Sequence, residues 1–255
     1  MHVSIRRASV FAVLLLVAFA SAAYAAKPTS GFVPVPVGAT LQHVSPAGGT
    51  AVTSACQPGE TRPVLGYLPY VVPPDDRYFS LISPSQCTVC GPAGAIEITV
   101  GHMGVYFPQI CTATIAVSVV GATPSPANPS CLVPDESNVI CPPTIYTVSV
   151  PAAGGYDIQL PLPAGCCITK DAFLSYNFLG TDCQNQLGIF ATVAPCNPCQ
   201  SWNFYPVGTG TAMDDLCNVF SYYSAGNLWM WADAECCQPV PVPTKTWGRI
   251  KTLYR

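Results

Sequence analysis

Apolar and polar side chains alternate with a period of two along much of this chain, most strictly at residues 228–235. There Leu228, Met230, Ala232 and Ala234 fall on one set of positions, and Trp229, Trp231, Asp233 and Glu235 on the other. Successive side chains of a strand point to opposite faces, so this pattern predicts a strand with one apolar face and one aromatic and acidic face. The alternation recurs upstream. Ile96, Ile98 and Val100 alternate with Glu97 and Thr99, and Ala113, Ile115, Val117 and Val119 with Thr114, Ala116 and Ser118. Tyr146, Val148 and Val150 alternate with Thr147 and Ser149, and Tyr156, Ile158, Leu160 and Leu162 with Asp157 and Gln159. Residues 173–179 and 187–193 are apolar at both sets of positions, as strands in the middle of a covered sheet are.

Turn residues separate these runs, and no window carries a 3.6-residue stripe of helical length. The fold class that follows is all-β: a disulfide-rich β-sandwich or jelly-roll-like domain with little helix, one turn near residues 213–217 excepted. Pro73, Pro74, Asp75 and Asp76 predict a type I turn. The stretch 196–237 reads as the closing hairpins, against which earlier strands pair. Residues 26–55 form an extended N-terminal arm that runs over the surface or adds a strand. Pro34 and Pro36 confine such a strand to an edge, because proline cannot donate to a ladder.

Composition changes the picture at the N-terminus. Arg6 and Arg7 precede an apolar run at 10–20, and Ala23 and Ala25 place small residues before a cleavage point. That order is a signal peptide over 1–25, with a run too short to span a bilayer, so no transmembrane span is expected in the mature chain. All 14 cysteines follow it: Cys56, Cys87, Cys90, Cys111, Cys131, Cys141, Cys166, Cys167, Cys183, Cys196, Cys199, Cys217, Cys236 and Cys237. An even count behind an export signal predicts a disulfide framework over a domain at 56–237. The C-x-x-C pairs at 87–90 and 196–199 have zinc-knuckle spacing, but an oxidising compartment favours bonds. The loop at 122–134 is expected to be pinned by Cys131 and Cys141. Neighbours on a strand face opposite ways, so Cys166-Cys167 and Cys236-Cys237 are each expected to bond two different partners.

Lys plus Arg number 10 against 13 Asp plus Glu, and losing the leader makes the balance more acidic. That argues against nucleic acid and anionic membrane surfaces as partners. After a proline-rich linker at 238–244 the sign reverses. Residues 245–255 carry Lys245, Arg249, Lys251 and Arg255 with Trp247, Ile250 and Tyr254 at helical spacing. This basic C-terminal tail reads as an element for a sorting or anchoring system.

The leader, the ending S-W-N-F-Y…G-N-L-W-M-W-A-D-A-E-C-C and the tail W-G-R-I-K-T-L-Y-R together resemble uncharacterised cysteine-rich exported bacterial proteins. The likeness covers mainly residues 195–255. It implies export and a sandwich-like domain with a short C-terminal tail, and it carries over no catalytic residue.

Beyond the leader the chain has two histidines, His43 and His102, with no G-x-S-x-G or H-E-x-x-H motif around either. With the cysteines bonded there is no thiol nucleophile, so no catalytic residue and no cofactor are expected. Trp229 and Trp231 offer flat apolar surface to the C–H face of a sugar, and Asp233 and Glu235 accept hydroxyl hydrogens. Tyr222 and Tyr223 extend that candidate ligand face. Asp214 and Asp215 are candidate calcium ligands without EF-hand spacing. The reading is an exported or cell-surface structural or binding protein, whose partner is a glycan or another surface protein. A carbohydrate-binding module is the second reading and a secreted hydrolase the third.

Overall fold

The computed structural model describes residues 31–36, 40–46, 54–91, 94–183 and 186–237. The expected leader, linker and tail lie outside the described residues. In chain order the strands are β1 (Val33–Pro34), β2 (Gln42–Val44), β3 (Val64–Val71), β4 (Asp76–Ile82), β5 (Ile96–Phe107), β6 (Cys111–Pro124) and β7 (Leu132–Val150). They continue with β8 (Gly154–Pro161), β9 (Cys167–Ile168), β10 (Ala172–Thr181), β11 (Gln186–Val193), β12 (Ser201–Val207) and β13 (Gly210–Asp215). A short helix α1 (Leu216–Phe220) precedes β14 (Ala225–Leu228) and β15 (Met230–Cys236). The protein is thus all-β, as the alternation predicts. The helical turn starts three residues later than expected, because Met213 to Asp215 still pair with β12 and Asp215 caps the helix.

Two sheets face each other. One runs β1-β3-β11-β5-β8-β2 with β9, β14 and β15 attached, and the other runs β13-β12-β4-β10-β6-β7. The inward sides of both build the main core, including Leu68, Met103, Ile158 and Ile189 from the first sheet and Ile115, Leu174 and Phe178 from the second. The described parts of the N-terminal arm add β1 and β2 at opposite edges of the first sheet, with Pro34 on the edge. β10 and β11 are both interior, and their two-sided apolar pattern has a cause on each face. Leu174 and Tyr176 enter the main core while Phe173 joins Phe79, Val133 and Trp202 in a second cluster on the outside of the second sheet.

Seven disulfides use every cysteine: 56–87, 90–236, 111–183, 131–199, 141–166, 167–237 and 196–217. Both vicinal pairs split between two partners, as their strand geometry requires. Cys131 and Cys141 do not bond each other. The loop after β6 folds over the sheet, where Cys131 meets Cys199 and Trp202 Nε1 donates to the Leu132 carbonyl at 3.1 Å. The turn at 73–76 also departs from expectation. Asp75 takes φ 66°, and the Asp76 N–H bonds the Pro73 carbonyl, which is type II geometry at the third position.

Within the closing stretch β12 and β13 do form a hairpin, but β14 and β15 do not pair with each other. β5 and β11 pair only where Val105 and Tyr106 meet Ile189 and Gly188, and then diverge. β14 and β15 run as one line into that fork, β14 along β11 and β15 along β5. At its apex the Trp229 N–H donates to Phe190 O at 2.9 Å, and Trp229 O accepts from Gly104 N at 3.0 Å. The free side of β15 is covered by residues 55–60, bridged at Cys56 to Ala234 and at Gly59 to Trp231.

Candidate functional site

The alternation at 228–235 holds. Leu228, Met230, Ala232 and Ala234 are fully buried, while Trp229, Trp231 and Asp233 keep partial exposure on the outer face and Glu235 is exposed. What stands beside them was not legible from one strand. On β5 a bulge leaves Thr99 as an extra residue, since Asp233 pairs with Val100 but Ala234 with Ile98. The phase flips there. Ile96 and Ile98 point inward, then Met103, Val105 and Phe107 do, and Val100 drops out of the main core. The flip carries His102 to the outer face, directly opposite Trp231.

Four adjacent strands then build one polar line. β2 brings His43, β8 brings Asp157 and Gln159, β5 brings His102, and β15 brings Trp231 and Asp233. His102 is 3% exposed. Its Nδ1 lies 3.0 Å from Asp157 Oδ2 and its Nε2 3.1 Å from Asp233 Oδ2. Ionised carboxylates only accept, so this geometry is satisfied when both ring nitrogens carry protons and favours the imidazolium. Burial pulls its pKa down, but the bonds to Asp157 and Asp233 more than reverse this and the net direction is up. Burial pushes the Asp233 carboxyl up; hydrogen bonds from His102, Ser54 and Gln57 bring it below its ordinary value. Trp231 roofs the ring in parallel contact, and Trp229 meets Trp231 edge-on at 6.1 Å. The Trp231 indole N–H is buried without a hydrogen-bond partner, so that ring acts through its face.

Beside this line lies a pocket of about 320 Å³. Leu41 and His43 of the arm form one wall, Arg62 and Val64 the other, with Trp229 and Asp157 between them. Trp229 packs over Gly104, and Leu41 packs on Phe190 in a small outer cluster with Val64. His43 is open to solvent and its Nδ1 lies 3.0 Å from Asp157 Oδ2. Gln159 Nε2 donates to the same carboxylate oxygen at 2.9 Å. Arg62 is bound to Glu60 through Nε at 2.9 Å, to Pro195 O through Nη1 at 2.7 Å and to Asn227 Oδ1 through Nη2 at 3.2 Å.

The structure brings together Trp229, Trp231 and Asp233 of the expected ligand face. Glu235 lies further along β15, opposite Glu97. Tyr222 and Tyr223 belong to the turn after α1, where Tyr223 stacks on Phe32 at 5.7 Å and Tyr222 meets Tyr223 edge-on at 5.2 Å. Their ring partners are therefore not the tryptophans. Asp214 accepts from Tyr205 Oη at 2.8 Å, while Asp215 accepts from the backbone of Cys199 and Cys217 at 2.8 and 2.9 Å. The two carboxylates accept from separate protein donors. Among the described residues the one metal-like cluster is Cys111, Asp182 and Cys183, and its two cysteines are bonded to each other.

Sequence reading passed over Asp157, Leu41 and Arg62. The alternation did place Asp157 and Gln159 on the polar side of their strand, but which strand would lie beside β8 was not written in it. Comparison with family models, with curated proteins and with solved structures found no match for the chain. Among the described residues no helix is long and apolar enough to cross a membrane.

Proposed function

We propose that the protein is an exported binding domain that presents a rigid, crosslinked sheet face and does not turn its ligand over. The ligand is a saccharide seated in the Trp229 pocket. One observation carries this reading: a pocket of about 320 Å³ in which the Trp229 indole, Leu41, Pro63 and Val64 stand among polar side chains. Small-ligand sites begin at roughly 300 Å³ and combine apolar and aromatic lining with placed polar groups. The Trp229 face suits the C–H side of a pyranose, and Thr40, Thr61 and His43 supply hydrogen-bonding groups at the rim.

Export is supported by the expected leader and by seven disulfides, which fit an oxidising compartment. Absence of turnover is supported by His102, whose ring nitrogens both face carboxylates and so leave no lone pair for a general base. The test is titration of the mature protein with a panel of neutral and charged oligosaccharides, followed by tryptophan fluorescence and calorimetry. A saturable response that Trp229→Ala abolishes is expected. A panel that produces neither heat nor a spectral change overturns the saccharide reading.

A further inference from the structure

We propose that this pocket selects uncharged sugar rings and rejects rings bearing a carboxylate, such as uronates. The inference rests on the saccharide reading above and concerns the chemical class of that ligand.

The argument is one of which charges remain available. Arg62 is the cation at the pocket wall that an anionic ligand would need. Four of its N–H groups are already donated: two to Glu60, one to Asn227 and one to the Pro195 carbonyl. A guanidinium has five, so a bidentate grip on a second carboxylate is not open to it. The other cation, His102, is sealed beneath Trp231 with both nitrogens committed to Asp157 and Asp233.

The anions outnumber these cations. Asp157, Asp233 and Glu60 face Arg62 and His102, and Asp157 lines the pocket while itself 1% exposed. A charged His43 would bring the sum only to zero. A carboxylate entering here meets the Asp157 carboxylate, and neither Arg62 nor His102 keeps a pair of free N–H donors to offset it. A neutral ring meets the indole, two threonine hydroxyls and an imidazole, which is all that it requires.

The test pairs sugars that differ only in the acid: cellobiose with cellobiouronic acid, and galactobiose with digalacturonic acid. Calorimetry on the full mature protein at pH 7 should show the neutral member of at least one pair binding about tenfold or more tighter, as one unrelieved like-charge contact demands. Raising the salt from about 20 to 500 mM should narrow that gap while leaving the neutral affinity unchanged. Asp157→Asn should narrow it as well, and the salt series decides the matter if that variant fails to fold. A uronate that binds as well as its neutral partner overturns the proposed selectivity and leaves the saccharide reading standing. Silence from both members of both pairs and from the wider panel removes the two together.

Discussion

His102 and Trp231 are direct partners across β5 and β15, and their rings stack with centroids 3.6 Å apart and planes 9° from parallel. The imidazolium thus lies on the negative face of an indole while its edges are held by two carboxylates, and each contact favours the charged ring. A buried ion cluster of this kind is costly to leave half-made. Trp231→Ala should therefore lower stability by about 3 kcal/mol, through lost packing and through water reaching the cluster. Trp231→Phe should lose markedly less, because a ring remains over His102. Chemical unfolding with the disulfides intact measures both.

The cluster also sets a pH window. His102 has a raised folded-state pKa, so its contribution is complete below the unfolded value of about 6.5 and is lost as pH climbs through the folded value. Asp233 is lowered, so its contribution is present above the unfolded value of about 4 and is lost as pH falls through the folded one. Stability from these groups is greatest between about pH 4 and 6.5. The melting temperature should fall from pH 6.5 towards 9, and fall less steeply in His102→Gln. Equal slopes in the two proteins would count against the imidazolium.

Much of this architecture was legible in residue order, and the omissions have definite causes. The period of two placed Trp229, Trp231 and Asp233 on one face and Asp157 with Gln159 on another strand's polar side, because side-chain direction is a local property of a strand. Which strands lie side by side is not local. The cluster needs β2, β8, β5 and β15 in that spatial order, and the fork between β5 and β11 has no signature in any single segment. The bulge at Thr99 is the clearest case. Alternation carried through Val100 puts His102 inward, and only pairing with β15 shows the extra residue that turns it out. Disulfide partners were invisible for the same reason, since Cys131 finds Cys199 through a loop folded over the sheet.

Gly104 holds the pocket open from below. A Cβ there would stand 2.9 Å from Trp229 Cε3, 3.0 Å from Phe190 Cβ and 3.3 Å from Leu41 Cδ1. Trp229 cannot retreat freely, because its backbone is bonded to both arms of the fork. Gly104→Ala should cost about 1–3 kcal/mol by overpacking and should weaken saccharide binding at least as much as it weakens the fold. Unchanged binding in a destabilised variant would place the ligand elsewhere.

Asp215 serves the chain as a brace between two cystines. Its oxygens receive the Cys217 and Cys199 N–H groups, and those cysteines bond to Cys196 and Cys131. Asp215→Ala removes a helix cap and a second backbone bond, for a loss of about 1–2 kcal/mol. Since both oxygens are engaged, millimolar calcium or EDTA should leave the melting temperature of the native protein where it was. A calcium-dependent rise that Asp215→Ala abolishes would restore the metal reading.

The vicinal cysteines make the most exacting prediction, because they tie four parts of the chain together. Cys166 reaches Cys141 on β7, in the second sheet, while its neighbour Cys167 reaches Cys237 just beyond β15 of the first. Cys236, next to Cys237, is bonded to Cys90. Adjacent residues facing opposite ways thus link both sheets and the chain's last described residue. Non-reducing peptide mapping, with cleavage between the paired cysteines where the chemistry allows, should recover 141 with 166 and 167 with 237, and no bond within either vicinal pair. Replacing Cys167 and Cys237 together by serine opens a crosslink spanning 70 residues and should cost about 2–5 kcal/mol. The first sheet should loosen first, because β9 then holds β5 through only two paired residues. Amide exchange that quickens along β9 and β15 ahead of β6 and β10 is the expected signature, and uniform acceleration would show that this crosslink does not act locally.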